Sequence, residues 1–431
     1  MSPISLRQSE VTLIRAGAVR DARQVDARPG AVALSRGRVL MAGPTNEVER
    51  RLKNIHRTIE RPNDLLMPAL VNAHAHLELT GIGPAAFDGD FTAWLRQLIE
   101  RRPIETDAIE AAVQRGIQMS IDAGVGVVGD IASSADAILA RRRHPLPGVS
   151  YFECFGIGRG QDEAINQLDW ALADMPYETP VAGHHRGVVL GISPHAPYTV
   201  GPTLYDHATK LSQNRAYRLC THLAETPDEL RFLRAADGPC REHLRMFDMW
   251  DETIRPARTD PVHFMLPYLK RARWLLAHCN YVSKRGIDIL KRRGASVAYC
   301  PIASEYFNHP REDAGSPAAH PYRLMLDIGV NVCLGTDSIV CQPGDQTQPM
   351  GILPQMRRLY RRDGVDPGLL LKMATTNGML ALELNDADAT LSRGAPARFC
   401  AVPFDTGNRE DPLTQVLSVD APAATVWEHD A

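Results

Sequence analysis

Eight times between residues 66 and 334, a short apolar, β-like run gives way to a helical or loop segment before the next run begins. The runs are Leu66–Val71, Gly124–Val128, Val149–Phe155, Gly187–Ile192, Tyr217–Thr221, Arg273–Ala277, Ser296–Tyr299 and Val330–Leu334. Helical patterns fall between them, for example over Asp107–Ala123, Pro202–Asn214, Lys284–Arg293 and Tyr322–Ile328. Two more, Pro354–Arg361 and Leu369–Leu384, follow the last run. Such alternation marks βαβ units and a parallel sheet. Eight units over this length predict an α/β chain folded as a (β/α)8 TIM barrel, whose chemistry sits at the C-terminal ends of the strands.

The chain ends have a different texture. Val11–Ile14, Ala31–Leu34 and Arg38–Ala42 are apolar runs separated by turn signals at Pro29-Gly30, Arg36-Gly37 and Gly43-Pro44. A helical turn is expected over Asn46–Leu52. Near the other end, Arg398–Val402 and Ala424–Trp427 read as strands joined by a polar loop. Because chain termini often lie close together, residues 1–65 and 394–431 are expected to build one small composite β-sandwich-like domain beside a barrel of residues 66–393.

Composition excludes several classes. A formal net charge of -3 over 431 residues leaves no basic excess for nucleic acid and no charged tail. No run approaches the roughly 18 apolar residues of a membrane span, and Met1 to Arg15 holds neither an apolar core nor a small-residue cleavage site. The eight cysteines lack paired-finger spacing, and Cys154, Cys220, Cys279, Cys300 and Cys333 are embedded in or beside apolar runs. They read as reduced, buried thiols of a cytoplasmic protein.

The chemistry begins where the first run ends, at Asn72-Ala73-His74-Ala75-His76. If the strand runs on through them, His74 and His76 emerge on one face, a pairing that suits a divalent metal. An isolated pair of this kind is as often merely solvated or core-packed. Here, however, His222, His278 and Asp337 each close another apolar run. Five ligand-type residues at four strand ends are hard to assign to chance. An aspartate at the mouth of an apolar strand is expensive unless it is paired, metal-bound or wet. Glu225, three residues past His222, can reach a metal-bound water as its acid–base partner. His195 sits between Pro194 and Pro197, which stiffen the segment and suit it to substrate positioning. Glu78 and Trp94 are placed to shape the pocket, although a surface Glu and a packed Trp are commoner. His56, His144, His184 and His185 lie in polar stretches and read as solvated.

Together these motifs resemble the amidohydrolase superfamily over nearly the whole chain. The resemblance rests on Asn72–His76, His222 with Glu225, His278, and Gly335-Thr336-Asp337-Ser338. The segments Ser193–Thr199 and His222–Thr226 match its single-metal deaminase branch, and within that branch the chain is similar to the aminodeoxyfutalosine deaminase-like group. His76–Leu79, Phe91–Leu95, and Gly238–Glu242 leading to Trp250-Asp251 support this less specifically. One departure follows the seventh run. Where that group reads Cys-Pro-Arg-Ser, this chain has Cys300-Pro301-Ile302-Ala303, losing donors that could hold a polar part of the substrate.

The resemblance implies one divalent ion, zinc or else iron, on His74, His76, His222 and Asp337. It makes Glu225 the proton shuttle, gives His278 an orienting or polarising role at the reacting carbon, and lets Asp337 also hydrogen-bond the attacking water. It implies a homodimer as well. The expected activity is hydrolytic deamination of an aminated purine-like small molecule related to aminodeoxyfutalosine. Hydrolysis of an amide or carbon–halogen bond at the same site is one alternative. A non-catalytic metal-binding barrel is the other, and intact Glu225 and Asp337 argue against it.

Overall fold

The computed structural model describes residues 11–144, 146–173, 175, 187–309 and 319–427; His184 and His185 lie outside them. Two sheets organise the chain. Eight parallel strands follow one another in sequence order: Leu70–Ala75, Val125–Ala132, Gly148–Cys154, Val188–Pro194, Arg218–Leu223, Leu275–His278, Ser296–Tyr299 and Asn331–Leu334. Every expected run contributes a strand, and the result is a (β/α)8 barrel.

Closure between the first and eighth strands relies on side chains as well as backbone. Asn72, fully buried, donates from Nδ2 to Thr336 Oγ1 at 2.8 Å and accepts from Thr336 N at 3.1 Å. The backbone adds Thr336 N and Asp337 N, each 3.0 Å from the His74 carbonyl. Gly335 makes this approach possible, because a Cβ there would lie 2.8 Å from the His74 carbonyl oxygen. The barrel interior is filled by Val71, Ile131, Val149, Tyr151, Cys220, Leu275, Ala298 and Cys333, capped by Met379 and Leu382. Helices cover the outside, as at Thr106–Asp122, where Ile109, Val113, Gly116, Ile117 and Ser120 recur at helical spacing on the buried face.

The second sheet has seven strands and draws on both chain ends. Arg398–Pro403 pairs antiparallel with Ile55–Pro68 and with Ala424–Trp427. The structure corrects three expectations. Leu66 and Met67 do not start the barrel; they end the long strand Ile55–Pro68, opposite Ala401 and Cys400. That strand escapes a sequence reading because Pro62 interrupts it. A register irregularity between Ala16 and Ala18 in the neighbouring strand accommodates the break, and a Cβ on Gly17 would sit 2.5 Å from the Pro62 carbonyl oxygen. The loop before Ala424 contains a helix, Pro412–Ser418, started by Asp411, whose side chain accepts from Thr414 N, with proline in the first turn. Finally, Leu369–Leu384 is two helices, Pro367–Met373 and Thr376–Ala381. Thr375 Oγ1 bonds back to the Leu371 carbonyl at 2.6 Å and Asn377 Nδ2 donates to Val332 O at 2.8 Å. Short polar side chains thus compete with the helix at the break.

All eight cysteines are free and buried. No helix among the described residues is long and apolar enough to cross a membrane.

Candidate metal centre and active site

The strand carrying the first motif ends at Ala75, so His76 lies on the following turn rather than in the strand. The two imidazoles still meet, with ring centroids 5.2 Å apart and nearly perpendicular. Asp130, at the end of the second strand, holds this turn by accepting from Leu77 N at 3.0 Å and from Ser150 Oγ at 3.3 Å. Asp130 is fully buried, and that burial pushes its carboxyl up to about 7. Nothing in the sequence marked it.

His222 and His278 lie at the ends of the fifth and sixth strands, and Asp337 lies just past the eighth. Asp337 adopts φ 61° and His278 φ 66°, a region ordinary L-residues seldom occupy and which recurs at functional sites. Asp337 Oδ1 lies 3.3 Å from His76 Nε2 and 3.7 Å from His74 Nε2. Burial opposes ionisation of Asp337. The facing imidazoles of His74, His278 and His76 outweigh it and hold the carboxyl well below the usual carboxylate range. His222 reaches the group from the fifth strand, and its orientation is set from behind: Nδ1 donates to the His195 carbonyl at 3.0 Å. This leaves the His222 Nε2 lone pair facing His76 Nε2, 3.4 Å away.

These residues fit a divalent ion. His74 is fully buried, and neither of its ring nitrogens has a hydrogen-bond partner among the described residues. Burial lowers His76 to about 4, and it holds His222 well below the ordinary histidine range. The imidazoles of His76 and His222 are therefore neutral at pH 7, the ligating form. Two neutral ring nitrogens 3.4 Å apart and a buried imidazole without partners are costly until a cation sits among them. Single donor atoms of His74, His76 and Asp337 lie within 4.8 Å of one another, as do those of His74, His222 and His278.

Glu225 and His278 stand together at the edge of this cluster, with Glu225 Oε1 3.7 Å from His278 Nε2. A cavity of about 150 Å³ opens onto them and onto His76, His222 and Asp337. Its walls include the three residues expected to touch substrate. His195 Nδ1 lies 2.7 Å from Thr199 Oγ1, and its ring packs against Phe155. Trp94 is buried and donates from Nε1 to Tyr306 Oη at 2.9 Å. Glu78 is buried and accepts from Ser133 N at 3.3 Å. His74 alone of the expected residues lies beneath the cavity wall rather than on it.

Several wall residues carry no signal in the sequence. Glu153, Arg102, Phe155 and His243 line the same cavity. Glu153 is the penultimate residue of the third barrel strand; its buried Oε1 has no hydrogen-bond partner among the described residues, and burial, then Glu78, pushes its carboxyl up to about 8. Its apolar run continues to Phe155, so it does not stand out as a run-ending acid in the way Asp337 does. His56 is exposed as expected, whereas His144 is half-buried and accepts from Leu146 N. Ile302 lines a separate cavity of about 480 Å³ with Glu305 and Arg358, and Ala303 is buried on neither wall. Neither Ile302 nor Ala303 therefore lines the cavity at the histidine cluster.

Fold and cluster together define a metal-dependent barrel enzyme. The amidohydrolase family matches residues 65–426, and the chain belongs to it. An aminodeoxyfutalosine deaminase of Deinococcus radiodurans is 28% identical over 361 residues, spanning 81% of this chain and 80% of the relative. A 5-methylthioadenosine/S-adenosylhomocysteine deaminase of Syntrophobacter fumaroxidans is 25% identical over 398 residues, spanning 89% and 82%. Among solved structures, Helicobacter pylori aminofutalosine deaminase in complex with methylthio-coformycin superposes with a TM-score of 0.77 at 19% identity, covering 96% of this chain and 97% of that one.

Proposed function

We propose that this enzyme hydrolytically deaminates an aminated purine-like small molecule, related to aminodeoxyfutalosine, at the mouth of its barrel. The observation that carries this reading is the placement of the buried Glu225 carboxyl 3.7 Å from His278 at the rim of a metal-binding imidazole cluster. The deaminase names of the relatives support the same reaction class.

His74, His76, His222 and Asp337 would hold the ion, which when bound supplies an activated water at neutral pH. The remaining work falls to side chains. Water adds to the amine-bearing ring carbon, the carbon–nitrogen bond breaks, and a carbonyl and ammonia result. Glu225 accepts a proton from the attacking water and returns it to the departing amine. Burial, then the charges of Asp337 and Glu229, raises its carboxyl well above the ordinary range, which suits an acid that must hold a proton between transfers. Asp337 accepts a hydrogen bond from the attacking water. His278, neutral because burial lowers it to about 3, orients at the reacting carbon. His195, Trp94 and Glu78 hold the ring from the walls.

Zinc is proposed as the ion, the cytoplasm as the compartment and a homodimer as the assembly. The donor set of three imidazoles and one carboxylate supports the first, eight free thiols the second, and family resemblance the third. Incubating metal-replete protein with a panel of 6-aminopurine compounds and measuring ammonia tests the reaction class. Release from at least one compound is expected. No ammonia from any of them, alongside turnover of an amide or an aryl halide, would replace deamination with that chemistry.

A further inference from the structure

Glu225 is held by its backbone. Among the described residues its carboxyl oxygens make no hydrogen bond, the nearest polar contact being His278 at 3.7 Å. Its own peptide groups, by contrast, are gripped from both sides. Ala224 adopts φ 50°, which turns two successive amides the same way. Both point at Glu229, whose Oε1 accepts from Ala224 N at 2.9 Å and whose Oε2 accepts from Glu225 N at 3.1 Å. Two consecutive N–H groups turned onto one anion form a nest. Glu229 is fully buried, and its own N–H is capped by Thr226 Oγ1 at 3.2 Å. On the other side, Asn280 Nδ2 donates to the Glu225 carbonyl at 2.9 Å. The Asn280 amide is in turn oriented by Ser304, whose Oγ donates to Asn280 Oδ1 at 2.9 Å. Asn280 and Ser304 are 1% and 2% exposed, so neither bond exchanges with bulk water.

We propose that Glu229, Asn280 and Ser304 are positioning residues that clamp the Glu225 peptide and so fix where its carboxyl delivers and collects protons. The proposal rests on the deaminase reading of Glu225. The clamp ties together three places in the barrel: the helix after the fifth strand, the loop after the sixth and the helix after the seventh. It also gives a role to the segment where the chain departs from its relatives. Ser304, near the start of that helix, acts on the reacting carboxyl through Asn280 rather than on substrate. The chemistry at 229 demands a carboxylate. Two N–H donors aimed at two oxygens leave no place for a glutamine amide, whose N–H₂ would oppose one of them.

Two variants test this, Glu229→Gln and Ser304→Ala, each assayed with metal content and melting temperature as controls. Small misplacements of a reacting group slow chemistry without weakening binding. We expect kcat to fall about tenfold in E229Q and about threefold in S304A, with KM within about twofold of the parent. Hydrogen exchange of the peptide spanning residues 222–228 supplies a readout independent of turnover, and both variants should exchange faster there than the parent. Parental kcat in a folded, metal-loaded variant, or parental exchange over 222–228, overturns the clamp. So does an equal fall in kcat/KM that comes from KM alone. If E229Q does not fold, S304A carries the same test from the opposite side. If the parent enzyme releases no ammonia from any aminopurine, the deaminase reading falls separately and the exchange measurement alone decides the clamp.

Discussion

Replacing Glu225 with glutamine separates proton transfer from architecture. Glutamine has the same shape, and every hydrogen bond that Glu225 makes among the described residues uses its backbone: N to Glu229, carbonyl from Asn280. These bonds survive the substitution. The side chain is 12% exposed on the cavity side and approaches His278 no closer than 3.7 Å, so the cluster of His74, His76, His222 and Asp337 keeps its donors. What disappears is the ability to accept and return a proton. General acid–base catalysis of this kind is worth about 10²- to 10⁴-fold, or about 3 to 5 kcal/mol of transition-state stabilisation at roughly 1.4 kcal/mol per decade. E225Q should therefore lose at least about 10² in kcat while retaining the parental metal stoichiometry and a parental melting temperature. Initial rates of ammonia release, paired with elemental analysis of the same samples, give both numbers. A variant that arrives metal-free and recovers its rate when metal is added would show that Glu225 is a ligand, and the proton-shuttle assignment would be wrong.

Two further outcomes follow from the geometry. Purified protein should carry close to one divalent ion per chain, and His76→Ala should lose most of it, because His76 Nε2 lies 3.4 Å from His222 Nε2 and 3.3 Å from Asp337 Oδ1; fully active protein without metal would refute the centre. The Glu229 carboxyl is raised by burial, against the pull of its two backbone bonds, from 4.5 to about 7. A carboxyl raised on folding contributes stability below its unfolded value that is lost as pH climbs to its folded one. Between pH 5 and 7 the metal-free parent should therefore lose about 2 to 3 kcal/mol relative to E229Q, at roughly 1.4 kcal/mol per unit. Urea titrations of both at the two pH values measure it, and a pH-independent difference would contradict the assignment.

What could be seen in the chain before folding was whatever repeats locally. Eight apolar runs with helices between them announce a barrel, because strand and helix periodicities are properties of neighbouring residues. His74, His76, His222, His278 and Asp337 were visible because each ends such a run, and a polar group at that point needs an explanation. Glu153 lies inside its apolar run, which continues to Phe155, and so carries no such mark. Asp130 and Glu229 are different. Their importance lies in which backbone amides they accept from, Leu77 in one case and Ala224 with Glu225 in the other. Likewise, which cavity Ile302 lines is set by the fold and not by its neighbours in the chain. The long strand Ile55–Pro68 was hidden because its stability comes from pairing with residues 11–19 and 399–403. Sequence alone indicated the barrel class and the residues that gather at its mouth, since each is written in residue type and local spacing; the chemistry came from resemblance to a known family. Only the tertiary structure decided which backbone amides the buried carboxyls accept from and which side chains line the cavity, because those depend on contacts between segments distant in the chain.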